Sequence, residues 1–339
     1  MNYIFRGKTQ LHSAPEKMTD VTLSLRTEIV RFLAEFAGQR VLFVPNEGNV
    51  GDCLIFAATL DAMAKASIEV EIVGNDADFG DRIVFLGGGG NLIDMYRGMR
   101  QTFEACGAKA KRIILLPHTI RGNADLIRSL DHRATIWCRD ERSLEHVCGL
   151  NSALDCRLGH DMAFHCDVAN FLSDMEWNDR GPSMLEAGLD QHGTSLNRIS
   201  RLPVVRFMRT DREARTPGNA TDLDVSRAFG QVADPRTSRL AAWCFLKTIS
   251  AAQRVVTDRL HVAIACALLE KECELLDNSY NKNREIYAHS LRRFQWLTFT
   301  KSAGKRIADQ PPPKKSLLAR VRRHARRMAR ERLWSSATQ

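Results

Sequence analysis

The stretch Val255-Val256-Thr257-Asp258-Arg259-Leu260-His261 joins an apolar run typical of a strand to charged residues and then to an apolar helix pattern. Ligands of open α/β sheets bind outside the carboxyl ends of the strands, where an arginine can bind a carboxylate or phosphate through two hydrogen bonds. His261 can supply or accept a proton near neutral pH. The alternative is that Arg259 pairs with a nearby acid and that His261 only begins a helix.

Two glycine-bearing loops follow strand-like runs in the first half of the chain. Residues 41–44 lead into the loop at 48–52 and then into helical spacing. Amides at a helix start can hold an anion, although an Asn or Asp there can equally cap the helix. Residues 83–86 lead into four glycines at 87–90, a run that indicates either close approach of the backbone to a ligand or a flexible turn. The candidate binding residues of these loops are Asn49, Gly88 and Gly89.

A second arginine also follows a strand-like run. Residues 136–138 are apolar, and Arg139-Asp140-Glu141 comes directly after them. Arg139 can therefore bind an anion at a strand end or form a salt bridge with a neighbouring acid. For Arg209, which follows another such run, we favour the salt bridge. His118 and His160, which close two further turns, could line the cleft, but we favour a structural role for each.

Strand-like and helix-like segments alternate along the chain. The predicted strands are 41–44, 70–73, 83–86, 113–116, 134–138, 204–208, 254–257 and 274–276. The predicted helices are 23–36, 52–66, 92–105, 124–130, 141–148, 260–269 and 283–293. This alternation indicates βαβ units and parallel sheets. Because 339 residues exceed the usual size of one core, we predict two α/β domains, at 1–170 and 171–300, with a polar interdomain connection or excursion at 176–200.

The net charge of +9 is concentrated at one end of the chain. Residues 311–339 carry nine Lys and Arg against one Glu, so the rest of the chain is nearly neutral and predicts no specific nucleic-acid partner. In the tail at 301–339, residues 314–332 place apolar and basic side chains on opposite sides of a helix. Such a basic amphipathic helix favours an anionic membrane surface, although an acidic partner, RNA or a solvated tail are alternatives.

The sequence also bears on where in the cell the protein is located. The chain has no run of about 20 apolar residues that would span a bilayer, and its first residues lack the apolar core of a signal peptide. Nine cysteines without a C-x-x-C pair indicate reduced core thiols rather than disulfides or a zinc site. We therefore expect a cytoplasmic protein, with the tail allowing peripheral contact with the inner face of the plasma membrane.

Seven motifs together resemble the polysaccharide pyruvyl transferase family over about residues 40–295. They are GNVGD at 48–52, FLGGGGNL at 85–92, LLPHTI at 115–120, CRDERS at 138–143, GHDMAF at 159–164, TDRLHVAIAC at 257–266 and LDNSYNKN at 276–283. The resemblance implies a GT-B-like fold in which two Rossmann-like domains face each other across a cleft. It also implies transfer of the enolpyruvyl group of phosphoenolpyruvate to a sugar of a cell-surface polysaccharide precursor, as a cyclic ketal.

The implied reaction assigns roles to residues on both halves. Phosphoenolpyruvate needs fixed cations but neither a metal nor another cofactor, and we assign Arg139 and Arg259 to its two anionic groups. His261 is the candidate acid that protonates the enol methylene. Asp52 matches the family's acidic position, where it could orient or deprotonate the acceptor hydroxyl.

Asn278 and Lys282 could add a phosphate contact, or they could be solvated loop residues. The partners implied are phosphoenolpyruvate and a saccharide acceptor, which could be linked to a lipid.

Two other classes remain alternatives to this function. A nucleotide-sugar glycosyltransferase would share the fold, and a non-catalytic scaffold would keep the glycines but lose the charged cleft residues. A dinucleotide-dependent oxidoreductase is disfavoured because no G-x-G-x-x-G follows a predicted strand.

Overall fold

A computed structural model describes residues 3–5, 20–211, 213–214, 222–278 and 281–300 of the chain. The predicted tail at 301–339, with its basic helix at 314–332, lies outside these residues. Among the helices that are described, none combines the length and the apolar character needed to cross a membrane.

The first half of the chain forms an eight-stranded sheet whose paired strands are parallel except at one edge. Its strands are β1 (Tyr3–Phe5), β2 (Arg40–Val44), β3 (Glu69–Ile72), β4 (Ile83–Leu86), β5 (Gly89–Leu92), β6 (Arg112–Ile120), β7 (Ala134–Cys138) and β8 (Asp155–Leu158). The order is β1-β3-β2-β4-β6-β7-β8, with β1 antiparallel to β3 and β5 paired with the end of β6. The central strands β2, β4 and β6 are almost continuously buried, as expected for parallel strands covered on both faces.

The second half forms a separate, fully parallel sheet of four strands. These are β9 (Val205–Phe207), β10 (Arg254–Thr257), β11 (Glu272–Leu276) and β12 (Leu297–Thr300), in the order β12-β11-β10-β9. Two parallel sheets with intervening helices confirm the predicted Rossmann-like α/β class. The division near residue 170 stays a prediction.

Eleven α-helices lie in the described ranges. They are α1 (Asp20–Ala34), α2 (Val50–Lys65), α3 (Gly98–Cys106), α4 (Ala124–Ser129), α5 (Glu141–Leu150), α6 (Val168–Ser173), α7 (Met175–Asp190), α8 (Leu196–Arg201), α9 (Pro235–Ala251), α10 (Leu260–Leu268) and α11 (Lys282–His289). Short 3-10 helices cover Met162–His165, Val225–Arg227 and Leu291–Arg293.

One apolar core connects the two sheets. Leu54 on α2, Phe245 on α9 and Ile264 on α10 are fully buried in the same cluster. A second cluster, which includes Leu42 and Ile113, covers the other face of the first sheet. Helix α2, which begins after β2, packs against α9 and also contacts α10, which begins after β10, so the carboxyl ends of β2 and β10 lie close to each other.

The helix predicted at 92–105 is wrong at its start, because the glycine run continues into β5 and α3 begins only at Gly98. The backbone amides of Asn91 and Leu92 lie 3.1 and 3.2 Å from Nε2 of the buried His118. Burial, assisted by the charge of Arg139, lowers the pKa of His118 to about 3. A neutral imidazole can accept a hydrogen bond, so His118 helps to hold this segment extended.

The polar region at 176–200 forms α7 and α8, between the last strand of the first sheet and the first strand of the second, and its role as an interdomain connection stays a prediction. Trp177 and Leu189 are buried in the common core, while the polar side of the segment faces solvent. Gly181 lies where α7 crosses α9: a Cβ there would overlap the ring of Trp243. The glycine therefore permits a close helix crossing rather than ending the helix.

Candidate functional site

Strands from both sheets end around one cavity of about 180 Å³. The loop after β2, Gly90 and Arg139 line it from the first half, and residues after β9 and β10 line it from the second half. The predicted site residues found in its wall are Asn49, Asp52, Arg139, Arg259, His261 and Lys282. Gly88, Gly89 and Asn278 do not line it. The cavity thus collects cations, carboxylates and an imidazole from distant parts of the sequence.

The loop after β2 is organised by the start of α2. Oδ1 of Asn49 accepts a 2.9 Å hydrogen bond from the amide of Gly51, and the amide of Asn49 donates to Oδ2 of Asp52 at 2.9 Å. These reciprocal bonds form a capping box, so the side chain of Asn49 acts as a helix cap. Burial raises the pKa of Asp52, although the charges of His261 and Arg139 act in the opposite direction. Asp52 is thus a carboxyl group with a fixed position and an increased affinity for a proton.

His261 lies in the first turn of α10 and faces α2. A Cβ on Gly51 would overlap Nδ1 of the imidazole, so the absence of a side chain at Gly51 allows this approach. Nε2 lies 3.8 Å from Oδ2 of Asp161, which is too long for a hydrogen bond. Among the described residues, no group is within hydrogen-bonding distance of this buried nitrogen. Packing, rather than a hydrogen bond to Nε2, therefore holds the imidazole in the cavity wall.

Arg139 is buried at the end of β7 and is held by two side chains. Its Nε donates to Oγ1 of Thr119 at 2.9 Å, and one terminal nitrogen donates to Oδ2 of Asp161 at 2.5 Å. Oδ1 of Asp161 accepts from the backbone amide of Ala163, which fixes the carboxylate to the main chain. Burial alone would raise the pKa of Asp161. The positive charges of Arg139 and His261 outweigh this effect and hold the pKa below its usual value. Asp161 is consequently a permanent anion between the guanidinium and the imidazole.

Arg259 lines the cavity but already binds two carboxylates. Nε and one terminal nitrogen bind Asp224 at 3.0 and 2.5 Å, and the other terminal nitrogen binds Asp211 at 2.7 Å. Asp224 is itself held by the backbone amide and hydroxyl of Thr210, both at 2.9 Å. Three of the five N–H groups of a guanidinium are thus committed to the protein. The local pairing that we gave as the alternative is present, and Arg259 also lines the cavity.

Lys282 and Asn278 meet at Glu213, which was not among the predicted site residues. Nζ of Lys282 lies 3.0 Å from Oε2 of Glu213, and Nδ2 of Asn278 donates to the same oxygen at 3.3 Å. Oδ1 of Asn278 also accepts from the amide of Lys282 at 2.8 Å. Asn278 is completely buried, so it shapes the start of α11, whereas the head group of Lys282 reaches the cavity.

The glycines at 87–90 pack against other residues of the protein. A Cβ on Gly88 would lie 2.9 Å from the carbonyl oxygen of Pro117, and Gly89 adopts a φ of 147° beside Asn46. Gly90 is the glycine that faces the cavity, where a Cβ would overlap a terminal nitrogen of Arg139. The run therefore lets the backbone pass close to β6 and to the guanidinium.

Several cavity residues were missed by sequence reasoning. They include Tyr96 and Glu213. Asp161, which binds Arg139, was missed as well. Arg209 also lines the cavity, and it forms the kind of salt bridge that we favoured, with Asp211 and Glu213. Asp161 follows His160 within one of the quoted motifs, and its position there was the signal that could have identified it. Tyr96 and Glu213 had no comparable signal because neither directly follows a predicted strand.

The sequence model of a family described as polysaccharide pyruvyl transferase matches residues 49–280. This range begins at Asn49 and contains every predicted site residue except Lys282. No curated protein matches the chain.

A solved structure has a similar fold. The crystal structure of a functionally uncharacterised protein from Klebsiella pneumoniae aligns with a TM-score of 0.65 and 25% sequence identity. The alignment covers 84% of this chain and 100% of that chain, so the likeness extends over both sheets.

Proposed function

Because the chain belongs to the polysaccharide pyruvyl transferase family, we propose that it transfers the enolpyruvyl group of phosphoenolpyruvate to two hydroxyls of one sugar. The observation that carries this proposal is the shared cavity of Arg139, Arg259, His261 and Asp52. The two Rossmann-like halves then act as a GT-B-like pair, with the donor bound between them.

The donor has two anionic groups on a three-carbon frame, and the cavity offers cations from both halves. Arg139 approaches from β7, and Lys282 approaches from the start of α11. A guanidinium can bind a carboxylate or a phosphate through two parallel hydrogen bonds. Arg259 also lines the cavity, where Asp211 and Asp224 balance its charge and hold it in position.

The proposed chemistry begins at the enol methylene. Protonated His261 gives its proton to this carbon, which becomes a methyl group, and the neighbouring carbon becomes electrophilic. One sugar hydroxyl attacks that carbon, the C–O bond to phosphate breaks, and a second hydroxyl closes the ketal. The two hydroxyl protons balance the reaction: one replaces the proton given by His261, and the other leaves with inorganic phosphate.

Asp52 is the proposed base that takes the proton of the attacking hydroxyl and passes it on to the departing phosphate. It lies at the start of α2, opposite the strand end that carries His261, and its carboxylate is held by the amide of Asn49. A carboxyl group is a better base near neutral pH when its pKa is raised, which is the direction that burial produces here. The acceptor would then lie between Asp52 and the donor carbon.

A thermal-shift experiment distinguishes this function from a nucleotide-sugar glycosyltransferase. A ligand present at about 100 times its Kd stabilises the folded protein by about 2.7 kcal/mol. We therefore expect saturating phosphoenolpyruvate to raise the Tm by several degrees, whereas uridine diphosphate at the same concentration leaves it unchanged. A rise with the nucleotide and none with phosphoenolpyruvate would support the glycosyltransferase instead.

A further inference from the structure

Four side chains from both halves of the protein converge on the carboxylate of Glu213. A terminal nitrogen of Arg209 lies 2.8 Å from Oε2, and Nζ of Lys282 lies 3.0 Å from the same oxygen. The hydroxyl of Tyr96 donates to Oε1 at 2.9 Å, and the amide of Asn278 donates to Oε2 at 3.3 Å. Two cations, a hydroxyl and an amide thus surround one anion.

Glu213 is almost entirely buried, with 6% of its side chain exposed. Burial raises the pKa of a carboxyl group, but the charges of Lys282 and Arg209 outweigh this effect and lower the pKa of Glu213 below its usual value. Glu213 is therefore ionised near neutral pH. Its carboxylate is an internal anion in the wall of the cavity.

The cluster around Glu213 adjoins the groups assigned to the donor. Gly90 lies between them: a Cβ there would overlap a terminal nitrogen of Arg139 and would lie 3.6 Å from Cδ of Lys282. Arg139 and Lys282 therefore pass on neighbouring sides of the same backbone position. A small dianion could place one charged group at Arg139 and the other at Lys282 and Arg209.

We propose that Arg209, Lys282, Tyr96 and Asn278 form an oxyanion subsite that takes phosphate, and that Glu213 competes with phosphate for it. Assigning the subsite to the phosphate of the donor rests on the proposed function, whereas its affinity for inorganic phosphate does not. Phosphate carries more negative charge than a carboxylate and offers more acceptor oxygens. It can displace Glu213, whose side chain leaves by rotation about its own bonds.

An internal competitor lowers the apparent affinity of a site, because only the fraction of molecules with the site open can bind. The lower affinity for phosphate is useful in this reaction, because phosphate is also one of the products. A subsite that held phosphate without competition would release it slowly. Glu213 would re-enter as phosphate leaves and so favour turnover.

Titration calorimetry with inorganic phosphate tests the proposal. In Glu213→Gln the competing charge is gone, and we expect the Kd for phosphate to fall at least about tenfold. Glu47→Gln is the matched control, because Glu47 lines the same cavity, is exposed and also loses one negative charge. We expect this control to change the Kd by less than about twofold, since exposed charges are screened.

An unchanged or higher Kd in Glu213→Gln would overturn the proposal, as would an equal gain in both variants. A second substitution keeps the test informative if Glu213→Gln is poorly folded by circular dichroism. Tyr96→Phe removes only a hydroxyl, and we expect it to raise the Kd for phosphate several-fold if the hydroxyl belongs to the subsite. Phosphate binding unaffected by Tyr96→Phe would instead indicate a purely structural cluster.

The two proposals can fail separately. Tighter phosphate binding in Glu213→Gln, together with no ketal formation by the wild-type protein, would keep the subsite and reject the proposed function. Ketal formation by the wild-type protein, with no gain of phosphate affinity in Glu213→Gln, would reject only the subsite.

Discussion

Replacing His261 with Gln lowers kcat for ketal formation by about 10²- to 10⁴-fold, the range for loss of a general acid. Gln keeps a polar side chain of similar length but cannot carry the proton to the enol methylene. We expect the Km for phosphoenolpyruvate to change by less than about threefold, because a group that acts only in the transition state lowers kcat and kcat/Km together. Steady-state assays of phosphate release with a saccharide acceptor measure both constants.

Gly51→Ala tests the same imidazole without changing it. The new Cβ would overlap Nδ1 of His261 and push the ring from its position, so kcat should fall at least about tenfold. Gly149→Ala is the control, because a Cβ at this position on α5 meets no atom within 4 Å. Normal kcat in both His261→Gln and Gly51→Ala would remove His261 from the mechanism.

Replacing Arg139 with Gln should affect stability and donor binding together. The substitution leaves the buried Asp161 without its partner, which we expect to lower the free energy of unfolding by about 3–5 kcal/mol. Loss of a charged hydrogen-bond donor should also raise the Km for phosphoenolpyruvate by roughly 10- to 100-fold. Urea denaturation and steady-state kinetics measure the two effects.

The double variant Arg139→Gln with Asp161→Asn separates the two roles of the arginine. Removing both charges should recover most of the lost stability, because no unpaired charge stays buried, but it should not recover donor binding. Arg31→Gln serves as a surface control, since Arg31 and its partner Glu28 are 72% and 64% exposed and the pair should contribute little. Recovery of the Km in the double variant would show that Arg139 only balances Asp161.

The strand ends were the part of the site that sequence alone could predict. A run of apolar residues followed by Arg139, or by Arg259 and His261, identifies a strand that ends in functional groups. Parallel strands of one sheet end at the same edge. Because β7 and β10 belong to different sheets, the expectation of a common cleft came from the family resemblance. The same reasoning identified the loop at Asn49 and Asp52.

Pairings between distant charges could not be predicted in this way. Arg259 binds Asp224, 35 residues earlier, and Lys282 binds Glu213, 69 residues earlier. Neither acid lies in a pattern that differs from an ordinary polar loop, and only the packing of the chain brings each to its partner. The contact between α2 and α9 escaped prediction for a similar reason, because the α9 segment was not recognised as a helix.

The glycine pattern was only partly informative, and the reason is physical. A glycine run indicates that something approaches the backbone closely, but it does not say what approaches. At Gly90 the approaching group is the guanidinium of Arg139, and at Gly181 it is the ring of Trp243. The sequence therefore indicated a close contact at the run 87–90 without identifying the group that makes it, and it gave no such indication for Gly181.

The central claim is that this cavity converts phosphoenolpyruvate and a saccharide into a pyruvate ketal. Mass spectrometry of saccharide acceptors, free and lipid-linked, after incubation with the protein and phosphoenolpyruvate tests it most directly. We predict a product heavier than the acceptor by pyruvic acid less one water, with one inorganic phosphate released per ketal. An unmodified acceptor, or transfer of a whole sugar from a nucleotide-sugar donor, would contradict the account.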